Sequence, residues 1–235
     1  MKSFLILLFT AFMYQSYGQT IITDKNAEIR NVSAFSGIKV SGGIDVYLSQ
    51  SDEYALAISA SEDNYRGNII TEIKNGILNI SYKGGSLRNN NNLKLRAYVS
   101  FKTLESLEAS GACDFIINEI FKTNSIRIKL SGACNIKGKV AINDLQLNLS
   151  GASTVKIDGS VQNLKIDASG ASDIKNYDLI VENCVADLSG ASDVRITINQ
   201  SLSAKASGAS SLYYKGNPER KDISSSGASN ISQRD

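Results

Sequence analysis

Asp173 and Asp193 each stand four positions after the serine of a Ser-Gly-Ala tripeptide. If those tripeptides stack in successive layers, the two carboxylates lie roughly 5 Å apart. Carboxylates that close repel unless a cation or a basic side chain lies between them, which makes the pair the one candidate metal site, for Ca²⁺. Lys175 and Arg195, two residues further on in each copy, could supply the charge instead. The same position holds Asp114, Asn135, Thr154, Ser211 and Asn230 in the other copies. Asp and Asn also suit chain corners, where they cap backbone groups, and the sequence favours this plainer role. A second cluster, Tyr213, Tyr214, Lys215 and Arg220 with Lys221, joins aromatic to basic side chains. Such residues favour contact with a glycan or a protein partner, although an ordinary exposed strand edge has the same composition.

Cys113 and Cys134 occupy equivalent places in neighbouring copies. Stacked Cα atoms there would fall within disulfide range, while parallel side chains would hold the Cβ atoms somewhat too far apart. The residues leave open both a bond and two small packed thiols. Cys184 replaces Leu or Ile in an inward register and reads as core. With no His and no Cys-x-x-Cys, a structural zinc site is not expected. The missing His also removes His-dependent triads. The glycines follow the repeat and build no phosphate loop. A polysaccharide lyase or hydrolase would need clustered carboxylates or a basic residue in a groove, and Asp173 with Asp193 does not make that case. No catalytic residue and no cofactor is expected.

The element that must position these residues is a repeat. Ser-Gly-Ala begins at residues 110, 131, 150, 169, 189, 207 and 226, at spacings of 21, 19, 19, 20, 18 and 19. Gly111, Gly132, Gly151, Gly170, Gly190, Gly208 and Gly227 are its structural corners. Five residues after each serine the side chain is apolar, from Phe115 to Ile231. The positions five, three and one before the serine are mostly apolar too, as in Leu145, Leu147 and Leu149. That period of two is a strand with one buried face. Each unit therefore reads as strand, tight corner, strand and looser return. A unit buries about five apolar side chains at about 1.5–3 kcal/mol each, against about 1–2 kcal/mol per residue of backbone ordering. It cannot stand alone, and stacking resolves this. The expected fold is all-β: a single-stranded parallel β-helix, or β-solenoid, with coils of about 19 residues. A sandwich of antiparallel hairpins is the weaker alternative, because turn signals would then recur every 8–12 residues.

Residues 1–18 read as a signal peptide: Lys2, a short apolar run from Phe4 to Met13, then Ser16-Tyr17-Gly18 before Gln19. Residues 19–235 read as one domain, with irregular N-terminal coils over 19–105 and regular repeats over 106–235. Strands are expected at Gly37–Val40, Ile44–Leu48, Ala55–Ser59, Ile69–Ile73, Ile77–Tyr82 and Leu93–Val99, with a loop at Gly84–Asn92. Ser36-Gly37-Ile38 and Ser41-Gly42-Gly43-Ile44 look like degenerate corners. A net charge of +2 argues against a nucleic-acid partner, and no later stretch is apolar enough to span a bilayer.

Phe35-Ser36-Gly37-Ile38-Lys39-Val40, Gly43-Ile44-Asp45-Val46-Tyr47-Leu48, Asn75-Gly76-Ile77-Leu78-Asn79-Ile80 and Leu107-Glu108-Ala109-Ser110-Gly111-Ala112, followed by every later Ser-Gly-Ala, resemble the head GIN domain family of putative auto-transporter adhesins. The resemblance covers nearly all of residues 19–235. It implies a two-sheet β-superhelix with the small-residue motif at the tight turn between sheets, and no catalytic residues. The expected function is a non-catalytic exported binding or structural module, adhesin-like, in the periplasm, at the outer membrane or outside the cell. Its partner would be a protein or glycan of the cell envelope or host surface, with homo-oligomers forming through solenoid ends or faces. A carbohydrate-active β-helix enzyme with an unrecognised site is the alternative.

Overall fold

The structure is a computed structural model that describes residues 24–84 and 93–235. The expected signal peptide, and the expected loop beyond Gly84, lie outside the described residues. Eight short strands come first: β1 (Glu28–Arg30), β2 (Gly37–Ser41), β3 (Ile44–Gln50), β4 (Ala55–Ala60), β5 (Ile69–Lys74), β6 (Ile77–Tyr82), β7 (Leu95–Phe101) and β8 (Ser106–Gly111). One helical turn, α1 (Asp63–Arg66), interrupts them. Five long strands follow: β9 (Asp114–Gly132), β10 (Asn135–Leu149), β11 (Thr154–Ala168), β12 (Asp173–Leu188) and β13 (Asp193–Ala206). β14 (Ser211–Lys215), β15 (Arg220–Ser225) and β16 (Asn230–Gln233) complete the chain.

The result is a parallel β-solenoid of about seven turns with coils of about 19 residues. Every pairing among β8 to β16 is parallel, which excludes the hairpin sandwich. Each coil has two arms. β3 pairs with the first arm of β9 through Val46 and Phe115, and β8 pairs with its second arm through Ser106 and Arg127. β14 and β15 divide β13 in the same way. The expected looser return between arms is not a loop. The long strands bend through it and resume pairing after local register shifts, as between Lys137 and Lys139.

Stacking turns the period of two into buried columns. Phe115, Ile136, Val155, Ile174, Val194 and Leu212 line the first arm with no more than 1% of their surface exposed. Leu107, Ile128, Leu147, Ile166, Ala186 and Ala204 line the second. In the last coil Ile223 is exposed and Ile231 only half-buried, because no described coil covers them.

The tight corner explains its own sequence. Gly170 has φ +73°, a left-handed conformation that glycine adopts without penalty. The next N–H, on Ala171, donates to Gly151 O of the preceding coil at 2.7 Å. A Cβ on Gly170 would sit 2.5 Å from that same carbonyl. Glycine is thus demanded by dihedral and by proximity together. The residue after Ala completes the corner: Ser172, buried, donates its hydroxyl to Ser169 O at 2.9 Å. Ser153, Ser192 and Ser210 repeat this bond. The true motif is Ser-Gly-Ala followed by Ser or Cys.

The N-terminal strands extend the same sheets, but not in chain order. β2 and β3 meet at Ser41-Gly42-Gly43, where the glycines have φ +91° and +70°, and Ser41 stacks on Ser110. On their far side β6 lies along β2 and β7 along β3. Three antiparallel pairings then close this end: β5 on β6, β4 on β7 and β1 on β4. The hairpin between β5 and β6 turns at Asn75-Gly76, with φ +52° and +73°. Ser36-Gly37-Ile38 is not a corner. Gly37 opens β2 without a positive φ and is small because Ser106 Oγ presses on it, 2.5 Å from where a Cβ would lie. Asp24 ties the first described residues down: its carboxylate accepts from Tyr98 Oη at 2.8 Å and Arg96 Nη1 at 3.2 Å. Burial raises the Asp24 pKa, but the neighbouring Ser59 hydroxyl and hydrogen bonds from Tyr98, Asn26 and Arg96 outweigh it and hold the carboxyl below its usual value.

Two measurements check this account. Gly170→Ala should lower unfolding free energy by about 2 kcal/mol or more. Gly67→Ala, at φ −61° with open space around it, should be neutral or stabilising by about 0.4–1 kcal/mol. Equal effects in chemical denaturation would contradict the corner argument. Asp24 has a depressed folded pKa, so its stabilisation is present above the ordinary carboxylate value of about 3.9 and fades as pH falls through the folded one. Asp24→Asn should therefore lower Tm at pH 7 and lose that effect below about pH 3.

Candidate functional site

The corner column and the outward columns beside it carry the residues that could do chemistry. Asp173 and Asp193 are register partners in β12 and β13, as are Lys175 and Arg195. Each carboxylate is held by the cation two residues along its own strand: Lys175 Nζ donates to Asp173 Oδ2 at 2.9 Å, and Arg195 Nη2 to Asp193 Oδ2 at 2.8 Å. Asp193 Oδ1 is buried without a hydrogen-bond partner. Among the described residues no group of three His, Cys, Asp or Glu side chains gathers where it could hold a metal. The basic side chains supply the charge that would otherwise call for a cation.

The four residues Tyr213, Tyr214, Lys215 and Arg220 do not share one surface. Strand alternation turns Tyr214 inward, where it is 4% exposed. Arg220 lies on the other arm, opposite Ser201. What Tyr213 does gather is cationic: Arg234 lies 4.3 Å and Arg195 5.9 Å from its ring centroid. Lys215 sits 5.4 Å from the ring of Tyr177, two coils back. Such contacts contribute about 0.5–1 kcal/mol when exposed. Arg195, Arg234 and Tyr177 were legible only through the coil spacing, which brings residues 18 or 21 apart into contact across one coil and residues 38 apart across two.

Cys113 and Cys134 are free thiols in the buried corner position that serine fills elsewhere. Each points to the carbonyl its serine counterparts use, Cys113 to Ser110 O at 3.4 Å and Cys134 to Ser131 O at 3.2 Å. The neighbouring Cys134 thiol, and then burial, pushes the Cys113 thiol upward. Burial pushes Cys184, in the core, up to about 12.

A trough of about 640 Å³ opens at the return edge, outside the second arm, and runs from the rung of β8 to that of β12. One wall is the outward column Arg127, Gln146, Lys165 and Val185. The other is a side-chain ladder. Asn163 Nδ2 donates to Asp144 Oδ1 at 2.9 Å, Asn183 Nδ2 to Asn163 Oδ1 at 3.1 Å, and Ser201 Oγ to Asn183 Oδ1 at 2.7 Å. Arg127 Nε also donates to Gln146 Oε1 at 3.0 Å. The sequence signal for this edge was an apolar residue followed by a polar pair, as in Ile142-Asn143-Asp144 and Val161-Gln162-Asn163.

Three solved structures share this architecture. A "putative adhesin" of Bacteroides fragilis superposes with a TM-score of 0.79 at 24% identity, over 88% of this chain and 96% of its own. A "putative lipid binding protein" of Parabacteroides distasonis gives 0.64 at 24% identity, over 89% and 98%. A "putative adhesin" of Parabacteroides merdae gives 0.65 at 19% identity, over 89% and 95%. At these identities the likeness is one of fold. No curated protein matches the sequence. The model of the family described as "Putative auto-transporter adhesin, head GIN domain" matches residues 34–218, most of the chain, and the protein belongs to that family.

Proposed function

We propose that this protein is a non-catalytic, exported binding module of the adhesin type, meeting a protein or glycan of the cell envelope or of a host surface. The observation that carries the reading is the lateral surface. The corner and inward positions hold the five long strands in register along the second arm, so the outward side chains there form straight columns. A rigid face whose groups are ordered before contact loses little entropy on binding. The family's description as adhesins supports export to a surface. Among the described residues no helix is long and apolar enough to cross a membrane. Residues 1–18 act as the signal peptide in this reading. Residues 19–235 form one unit, a division supported by the pairing of β2 and β3 with β8 and β9.

Protease added to intact cells should remove the protein. Survival until the envelope is permeabilised would withdraw the surface role and leave a periplasmic one. A screen of polysaccharides should detect binding or none, but no turnover. Turnover abolished by Asp193→Ala would replace this reading with an enzymatic one.

A further inference from the structure

We infer that the trough along the second arm binds a linear, neutral polysaccharide lying parallel to the solenoid axis. This rests on the binding-module reading and gives it a ligand class and a place. The trough's polar groups recur once per coil, about every 4.8 Å, so the four coils from β9 to β12 present a straight row roughly 14 Å long. A ligand that satisfies such a row must itself repeat donors and acceptors along a line. An extended chain of pyranose rings does so with its hydroxyls.

The walls retain unspent capacity. A side-chain amide has two N–H donors and a carbonyl with two lone pairs. Along the ladder Asn163 and Asn183 each spend one donor on the coil before. The second donor of each, and the amide nitrogen of Gln146, remain for ligand hydroxyls. Val185, half exposed, and the aliphatic stems of Arg127 and Lys165 offer apolar surface to the C–H faces of sugar rings.

Charge and backbone decide between ligand classes. Arg127 and Lys165 are balanced in the trough by Glu105 and Asp144. A polyanion therefore finds no net attraction there. An extended peptide would need a free sheet edge for strand addition. The trough's strands, β9 to β12, are each paired on both sides along the second arm, so their backbone groups are already taken.

The test is affinity electrophoresis through gels containing soluble linear mannan, xylan or mixed-linkage β-glucan, with polygalacturonate as the acidic comparison. At least one neutral polymer should retard the protein. Gln146→Ala with Lys165→Ala should weaken that retardation at least tenfold without changing Tm, whereas Lys156→Ala, on the outer face of the first arm, should leave it intact. Undiminished retardation of the double variant would overturn the assignment, as would stronger retardation by polygalacturonate or retardation by none of the polymers. In each of those three cases the broader binding-module reading would stand, since only catalytic turnover or the absence of any surface partner removes it.

Discussion

The close approach of one corner glycine to the next governs this molecule. At each corner an alanine N–H reaches the glycine carbonyl of the coil below, at 2.7 Å for Ala133, Ala152, Ala171, Ala191 and Ala209 alike. That contact exists only because the residue before the alanine has no Cβ and takes a positive φ. Every coil is thereby pinned at the same point of its circuit. Chain between corners can lengthen or shorten slightly, and the shifts in register fall on the arms and the return edge. The apolar columns, the hydroxyl column of the corner and the outward columns all inherit their alignment from it. The buried Ser or Cys then matters for a different reason. The serine carbonyl at the head of the turn needs a donor, and a hydroxyl or thiol three residues on provides it without widening the corner.

A stack built this way has a problem at its ends, where backbone groups have no further coil to meet. At the N-terminal end the protein stops repeating. There β4 and β5 run antiparallel to the stack, and β1, which pairs antiparallel with β4, is only three residues long. The pair β2–β3 lies between later segments, β6 with β7 on one side and β8 with β9 on the other. Its pairing partners on both sides lie later in the chain. Contacts so distant in sequence carry a larger loop-closure cost than the neighbour-to-neighbour pairing of the regular coils.

The sequence made the repeat, the inward columns and the corner glycines readable because each is a one-residue requirement repeated at fixed spacing. The N-terminal order was hidden for the opposite reason. Nothing in Ile77–Tyr82 or Leu95–Phe101 states that they flank β2 and β3, since alternation marks a buried face and not a neighbour. Tyr214 was misplaced by grouping residues adjacent in sequence, when adjacency in a strand means opposite faces. Arg220 was misplaced because the step from β14 to β15 crosses to the other arm. The Asp173–Lys175 and Asp193–Arg195 pairs could be read because they lie within single strands. The polar pairs of the trough recur in the sequence, but that they line one open edge depends on the bend between arms, where no residue type recurs as strictly as glycine does at the corner.

That contrast bears on where recognition resides. Positions set by packing allow one or two residue types: glycine at the corner, Ser or Cys after the alanine, aliphatic side chains within. The outward column that walls the trough holds Arg127, Gln146, Lys165 and Val185, and continues beyond it with Ser203 and Asp222. No shared structural demand accounts for such a series, since from Arg127 to Ser203 each lies in a strand already paired on both sides. Variation of that kind, carried on strands held rigid by an invariant corner, separates the part of the chain that must fold from the part free to choose a ligand. Residue types on the outer columns can change without disturbing the corner, so one scaffold can present many different faces.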